Sequence, residues 1–128
     1  MIHLIYHSAD LDGHCSGALL RLKMESKGLV YNTDFLMHAI DYGMDFDETK
    51  VIKDGDTVYM ADFSLQPYTR MQELNRRCDL TLYDHHKSAF ESVKDIKGFH
   101  ETDDISGCRI VWEQEIMGVT PKIIHLLS

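Results

Sequence analysis

Residues 2–22 read IHLIYHSADLDGHCSGALLRL. Ile2 to Tyr6 form a short, β-rich apolar run of the kind found in a strand buried on both faces. A polar, glycine-containing turn follows. Cys15, Ala18, Leu19 and Leu22 then recur at i, i+3, i+4 and i+7, which predicts an amphipathic helix, and Gly28 after Lys27 is where a left-handed cap would end it. A strand that turns directly into a helix is half of a βαβ unit.

The same alternation continues along the chain. Thr57 to Ala61 and Leu80 to Tyr83 are further strand-like runs, Phe35 to Ile40 is a weaker fourth, and Asp54-Gly55-Asp56 is a turn that launches the run at Thr57. Pro67 suits a first helical turn, followed by an apolar stripe of Met71, Leu74 and Cys78 with Gln72, Glu73, Arg76 and Arg77 opposite. Ile105, Cys108, Val111, Trp112 and Ile116 predict another helix, over 105–117, stopped by Gly118. Strands alternating with helices predict an α/β fold: a three-layer, doubly wound, mostly parallel sheet with helices on both faces.

With 128 residues the chain has the length of one domain, enough to bury roughly two-thirds of its unfolded surface. No apolar run approaches the ~18 residues of a membrane span, and the N-terminus lacks the marks of a secretion signal, so a cytoplasmic protein without membrane contact is expected. Thirteen basic against 21 acidic residues give a formal charge of −8, which argues against strong non-specific nucleic-acid binding. Bound divalent cations would offset part of that charge. The three cysteines, Cys15, Cys78 and Cys108, form no C-x-x-C pair and suit helix faces as small hydrophobes.

Three of the predicted strands end alike: IYH then SADLDG, YMAD then FS, and TLYDHH then K. Each places acids or histidines at the carboxyl end of a parallel strand, the edge where open α/β sheets bind ligands. The side chains are His7, Asp10, Asp12, Asp62, Asp84, His85 and His86, an oxygen and nitrogen set without thiolate that suits Mn²⁺, Mg²⁺, Fe²⁺ or Zn²⁺. In an extended Asp10-Leu11-Asp12 both carboxylates would face one way, with Gly13 turning the chain into the helix. Asp62 then stands as a bridging carboxylate between two metals, His85 as a nitrogen ligand, and His86 as a contact to substrate oxygen. Taken alone, Asp10, Asp12 and Gly13 read more readily as a capped turn entering the helix. It is their combination with Asp62 and the Asp84-His85-His86 run that points to chemistry. Two metals side by side activate a water and stabilise charge building on phosphorus, so phosphoester hydrolysis is the reaction that best uses such a set.

HSADLDG, MADFS and above all Asp84-His85-His86 resemble, in order, the first three motifs of the DHH phosphoesterase superfamily. That superfamily includes RecJ-like exonucleases, nano-RNA and cyclic-dinucleotide phosphodiesterases, and manganese family II pyrophosphatases. The resemblance extends from residue 1 to about 112, since SGCRIVWE is similar to the helix after the third motif. It implies two Mn²⁺ ions (Mg²⁺ or another divalent metal being an alternative), with His7 and Asp10 on one, Asp12 and His85 on the other, and Asp62 between them. Asp84 would orient a ligand and His86 would contact phosphate.

Only Ser8 and Ala9 separate His7 from Asp10, where several members have three residues, which leaves His14 as an alternative ligand. The fourth, aspartate-bearing motif has no counterpart, Asp103 and Asp104 being too early. The expectation is a single catalytic domain over 1–128, incomplete at its C-terminus and lacking a substrate-binding second domain. Its substrate would be a nucleotide or short oligonucleotide, with a manganese pyrophosphatase or a non-catalytic metal- or nucleotide-binding module as alternatives.

Elsewhere His3, His38, His100 and His125 read as structural, and Asp41 to Glu48 as a solvated acidic loop in which Tyr42 and Phe46 offer a base-binding surface. Lys87 and Arg109 are candidate phosphate contacts.

Overall fold

The computed structural model describes residues 1–85, 93–100 and 106–116. Five strands, β1 (Ile2–His7), β2 (Phe35–Ile40), β3 (Thr57–Ala61), β4 (Asp79–Asp84) and β5 (Gly98–His100), form one sheet in the order β2-β1-β3-β4-β5. Every pairing is parallel, with Ile2 opposite Phe35 and Thr57, and Thr57 opposite Asp79. The fold is therefore the α/β three-layer arrangement expected, with an all-parallel sheet in place of a mostly parallel one.

Helices α1 (Leu11–Ser26), α2 (Glu48–Val51), α3 (Thr69–Arg77) and α4 (Gly107–Val111) cover both faces. Leu19, Leu20 and Met24 of α1 and Cys108, Ile110 and Val111 of α4 pack with Leu4, Ala61 and Tyr83 on one face. On the other, Met71 and Leu74 of α3 meet Ile5, Val58, Met60, Leu80 and Leu82. Alternate residues of β1, β3 and β4 thus feed the two cores, as the period of a pleated strand requires. The chain winds from β1 outward to β2, then crosses β1 to reach β3 and continues to β4. That reversal puts the topological switch point between β1 and β3.

Several local expectations change. Ala18 and Leu22 of α1 face solvent, Leu22 being 50% exposed; Gly13, Ser16, Gly17, Leu20 and Met24 are buried instead. The buried face is built partly on small residues, Gly13, Ser16 and Gly17, which carry no apolar pattern. An added Cβ on Gly17 would lie 2.7 Å from the Tyr6 ring, so α1 sits close enough to β1 that a larger residue there would have to displace that ring. Pro67 lies before α3, after a cis Gln66–Pro67 bond, and not in its first turn. Arg77 is not part of the solvated face of α3: it donates to Ile52 O at 2.6 Å and Glu48 O at 2.8 Å, tying α3 to α2.

The predicted helix over 105–117 is α-helical through Val111 and π-helical over Trp112–Ile116; Ile105 and Gly118 lie outside the described residues. Gly28 has φ +81, the left-handed cap predicted. No helix among the described residues is long and apolar enough to cross a membrane.

Candidate metal centre

Because the strands are parallel, their carboxyl ends share one edge. β1 delivers His7 there, β2 leads into Asp41, β3 into Asp62 and β4 ends on Asp84 before His85. Among the described residues two groups have ligand atoms close enough to share an ion, His7 with Asp10 and Asp62, and Asp12 with Asp62 and His85. Asp62 is common to both, the placement that a bridging carboxylate would need.

Asp62 is unusual in three respects. Its φ is +57, the residue is 2% exposed, and its Oδ2 is buried with no hydrogen-bond partner among the described residues. Non-glycine residues enter the left-handed region rarely, Asp and Asn more readily than most. Oδ1 lies 2.8 Å from His85 Nε2 and Oδ2 lies 3.8 Å from His7 Nδ1. Burial pushes the Asp62 carboxyl above its ordinary range; the His85 hydrogen bond opposes this, and repulsion from Asp12 and Asp10 adds to it. A cation between these groups removes the repulsion and satisfies the orphaned oxygen, so the residues present fit a divalent metal.

Asp10 and Asp12 do not sit in an extended stretch, as the sequence suggested. Asp10, extended at φ −144 and ψ 171, is the N-cap of α1, its Oδ1 accepting from Gly13 N at 2.8 Å; Asp12 is already helical. Asp10 thus caps the helix through Oδ1, while its Oδ2 faces His7 Nδ1 at 3.8 Å. The change of backbone between them sends the two carboxylates to different groups. Asp12 reaches across to the start of α4, where Gly107 N and Cys108 N donate to its two oxygens at 3.0 and 2.7 Å. His85 Nε2 lies 3.6 Å from Asp12 Oδ2. Asp84 is fully buried, and its Oδ1 accepts from His85 N at 2.8 Å, fixing the backbone that carries His85. His86, expected to contact phosphate, lies outside the described residues, as do Lys87, Asp103 and Asp104.

His14 does not join the site. Its Nε2 lies 2.9 Å from Ser8 O and its ring stands edge-on to Tyr6, whereas His7, despite its short spacing to Asp10, lies in the group with Asp10 and Asp62. Arg109 pairs with Glu113 at 2.9 Å.

Three contributors, Asp41, Gly107 and Cys108, carry no signal of this role in the sequence. Asp41, taken for a solvated loop residue, places Oδ1 2.8 Å from His7 Nε2, and that hydrogen bond together with the Tyr42 amide holds its carboxyl below the ordinary range. Gly107 and Cys108 enter through their backbone amides, which no side-chain pattern advertises. Glu48, also assigned to the solvated loop, is buried and paired with Arg70, whose Nε donates to Oε1 at 2.9 Å. The loop between them lines a small cleft of about 50 Å³ beside His7, walled by Tyr42, Phe46 and Phe63. No family model, no curated protein and no solved structure matches this chain.

Proposed function

We propose that this chain is a divalent-metal-dependent phosphoesterase of the DHH type that hydrolyses phosphodiester or phosphomonoester bonds of nucleotides or short oligonucleotides, with Mn²⁺ as the preferred ion. The observation that carries the reading is Asp62, a buried carboxylate shared by two histidine–carboxylate groups at the switch point of a parallel sheet. Bound divalent ions supply charge for a phosphoryl oxygen and lower the pKa of water.

The chain's own residues do the rest. His7, Asp10 and Asp62 would hold one ion, and Asp12, Asp62 and His85 the other. Asp84 fixes the His85 backbone, and the amides opening α4 orient the Asp12 carboxylate. The aromatic wall of Tyr42 and Phe63 excludes water from one side of His7. Tyr42 and Phe46, which line the small cleft beyond it together with Asp41 and Arg70, are the aromatic residues a base would meet.

Hydrolysis of short oligonucleotides and nucleoside phosphates by the purified protein with Mn²⁺ tests the reading. Turnover that disappears in Asp62→Asn is the expected result; absence of turnover on every phosphoester tried would sink it. A second reading, a non-catalytic metal-binding module, draws on Asp12: with both oxygens already accepting from amides, it has fewer lone pairs for an ion. Calorimetry separates the two, since one tightly bound Mn²⁺ without turnover favours the module and two favour the enzyme.

A further inference from the structure

His7 and His85 both belong to the metal centre, yet they face it with different nitrogens. His85 turns Nε2 toward Asp62 and Asp12. His7 turns Nδ1 toward Asp10 and Asp62, at 3.8 Å from each, because its Nε2 is engaged by Asp41. The first separation exceeds any hydrogen bond but matches the roughly 3–4 Å between atoms that share one ion at about 2.1 Å each.

An ionised carboxylate only accepts, so at 2.8 Å from Asp41 the proton of a neutral His7 resides on Nε2 and the lone pair on Nδ1. Turning the ring over would put carbon against Asp41 and carbon against the metal site. Asp41 is itself held, since Tyr42 N donates to the same Oδ1 at 2.8 Å and its own amide points at Met44 Sδ. The ring of Tyr42 stands edge-on to His7 at 5.4 Å and that of Phe63 lies 5.8 Å away. Only 14% of the His7 side chain remains exposed.

We propose that Asp41 is a positioning residue of the metal centre, which fixes His7 as the Nε2–H tautomer so that this histidine ligates through Nδ1 while His85 ligates through Nε2. The proposal rests on the metal-binding reading of the site but not on turnover. Histidine ligands generally hand their second ring N–H to a carboxylate or carbonyl, and loss of that partner typically costs 10- to 100-fold in metal affinity. An independent sign of an ion at this place is the buried Oδ2 of Asp62, which has no hydrogen-bond partner among the described residues and lies 3.8 Å from the same Nδ1.

The test is ¹⁵N NMR of the histidine rings in the wild-type protein, metal-free and with diamagnetic Zn²⁺, together with Zn²⁺ and Mn²⁺ calorimetry of the wild type, Asp41→Ala and Asp41→Asn. The expected result is a protonated His7 Nε2 before and after Zn²⁺ addition, with the Zn²⁺-induced shift on Nδ1. Asp41→Ala should bind each ion roughly 10- to 100-fold more weakly, and Asp41→Asn, whose amide oxygen still accepts, should recover part of the loss.

A Zn²⁺ shift on His7 Nε2, or unchanged affinity in a folded Asp41→Ala protein, overturns the role of Asp41 and leaves the metal centre standing. No ion bound by the wild type overturns the metal centre itself, and the ligation through Nδ1 with it. The wild-type spectra decide the tautomer even if the alanine variant does not fold.

Discussion

Asp62 combines a backbone conformation that most residues avoid with a buried charge facing two other carboxylates. Both features cost stability in the metal-free protein, and such costs concentrate at functional sites. Asn separates them. It tolerates the left-handed backbone and keeps the shape of Asp but removes the charge. Asp62→Asn should therefore stabilise the metal-free protein by about 1 kcal/mol in urea unfolding. The same variant should lose most of the metal-induced stabilisation of the wild type, which for one ion at 100 times its Kd is about 2.7 kcal/mol. Asp62→Ala removes the same charge but adds backbone strain, and should gain less without metal. Equal metal-induced stabilisation in Asp62→Asn and the wild type would contradict a bridging role.

Helix α1 shows how closely the site depends on an element's packing. Gly13 donates its amide to Asp10, and a Cβ there would stand 1.8 Å from the His7 carbonyl oxygen, so even alanine forces α1 away from the end of β1. His7 and Asp10 sit on opposite sides of that contact. At Gly17 the obstacle is the Tyr6 ring, a side chain that can turn. Gly17→Ala should cost about 1–2 kcal/mol, overpacking being partly offset by alanine's better helix propensity, and leave Mn²⁺ affinity as it was. Gly13→Ala should cost more and weaken Mn²⁺ binding at least about tenfold, by displacing ligands from one another. Urea unfolding and calorimetry on the two variants check this, and equal effects on Mn²⁺ affinity would show that the helix does not set the ligand geometry.

The same helix marks where sequence stopped being legible. Its existence, its start near Gly13 and its end at Gly28 could be read, but its buried face could not, because Gly13, Ser16 and Gly17 carry no apolar signal. Strands β1, β3 and β4 were legible because double burial leaves continuous apolar runs, and His7, Asp10, Asp12, Asp62 and His85 because each lies at or just beyond such a run. Asp41 follows a strand too, but the acids after it suggested a solvated loop. The amides of Gly107 and Cys108 have no side-chain signature at all.

At the scale of the whole molecule, the sheet has an active-looking edge and a structural one. At the amino ends of β1 and β3, His38 Nε2 lies 3.0 Å from His3 Nδ1, and His3 Nε2 lies 2.9 Å from Asp56 Oδ2. Asp56 also accepts from the Met1 ammonium at 3.3 Å and from Lys53 N at 2.9 Å, so this chain of contacts joins three strands. His3 and His38 are thus structural, as their place in apolar segments suggested.

Their arrangement has a pH consequence. Burial, and then repulsion from His3, holds His38 down to about 4 from an ordinary 6.5. Above 6.5 it is neutral folded or unfolded and has no effect on stability. Between 6.5 and about 4 the unfolded chain takes up a proton that the folded one refuses, so stability falls as pH falls through that window. His38 is only half-buried, and solvent screening reduces the effect to about 1 kcal/mol, or about 3–5 °C in Tm for a chain of this length. His38→Gln keeps an amide donor for His3 Nδ1 but cannot titrate. Its Tm should fall less than the wild type's between pH 6.5 and 4.5, by that margin, while the two fall in parallel below pH 4 as carboxylates common to both proteins protonate. Parallel curves across the upper window would mean that His38 titrates alike in the folded and unfolded chain.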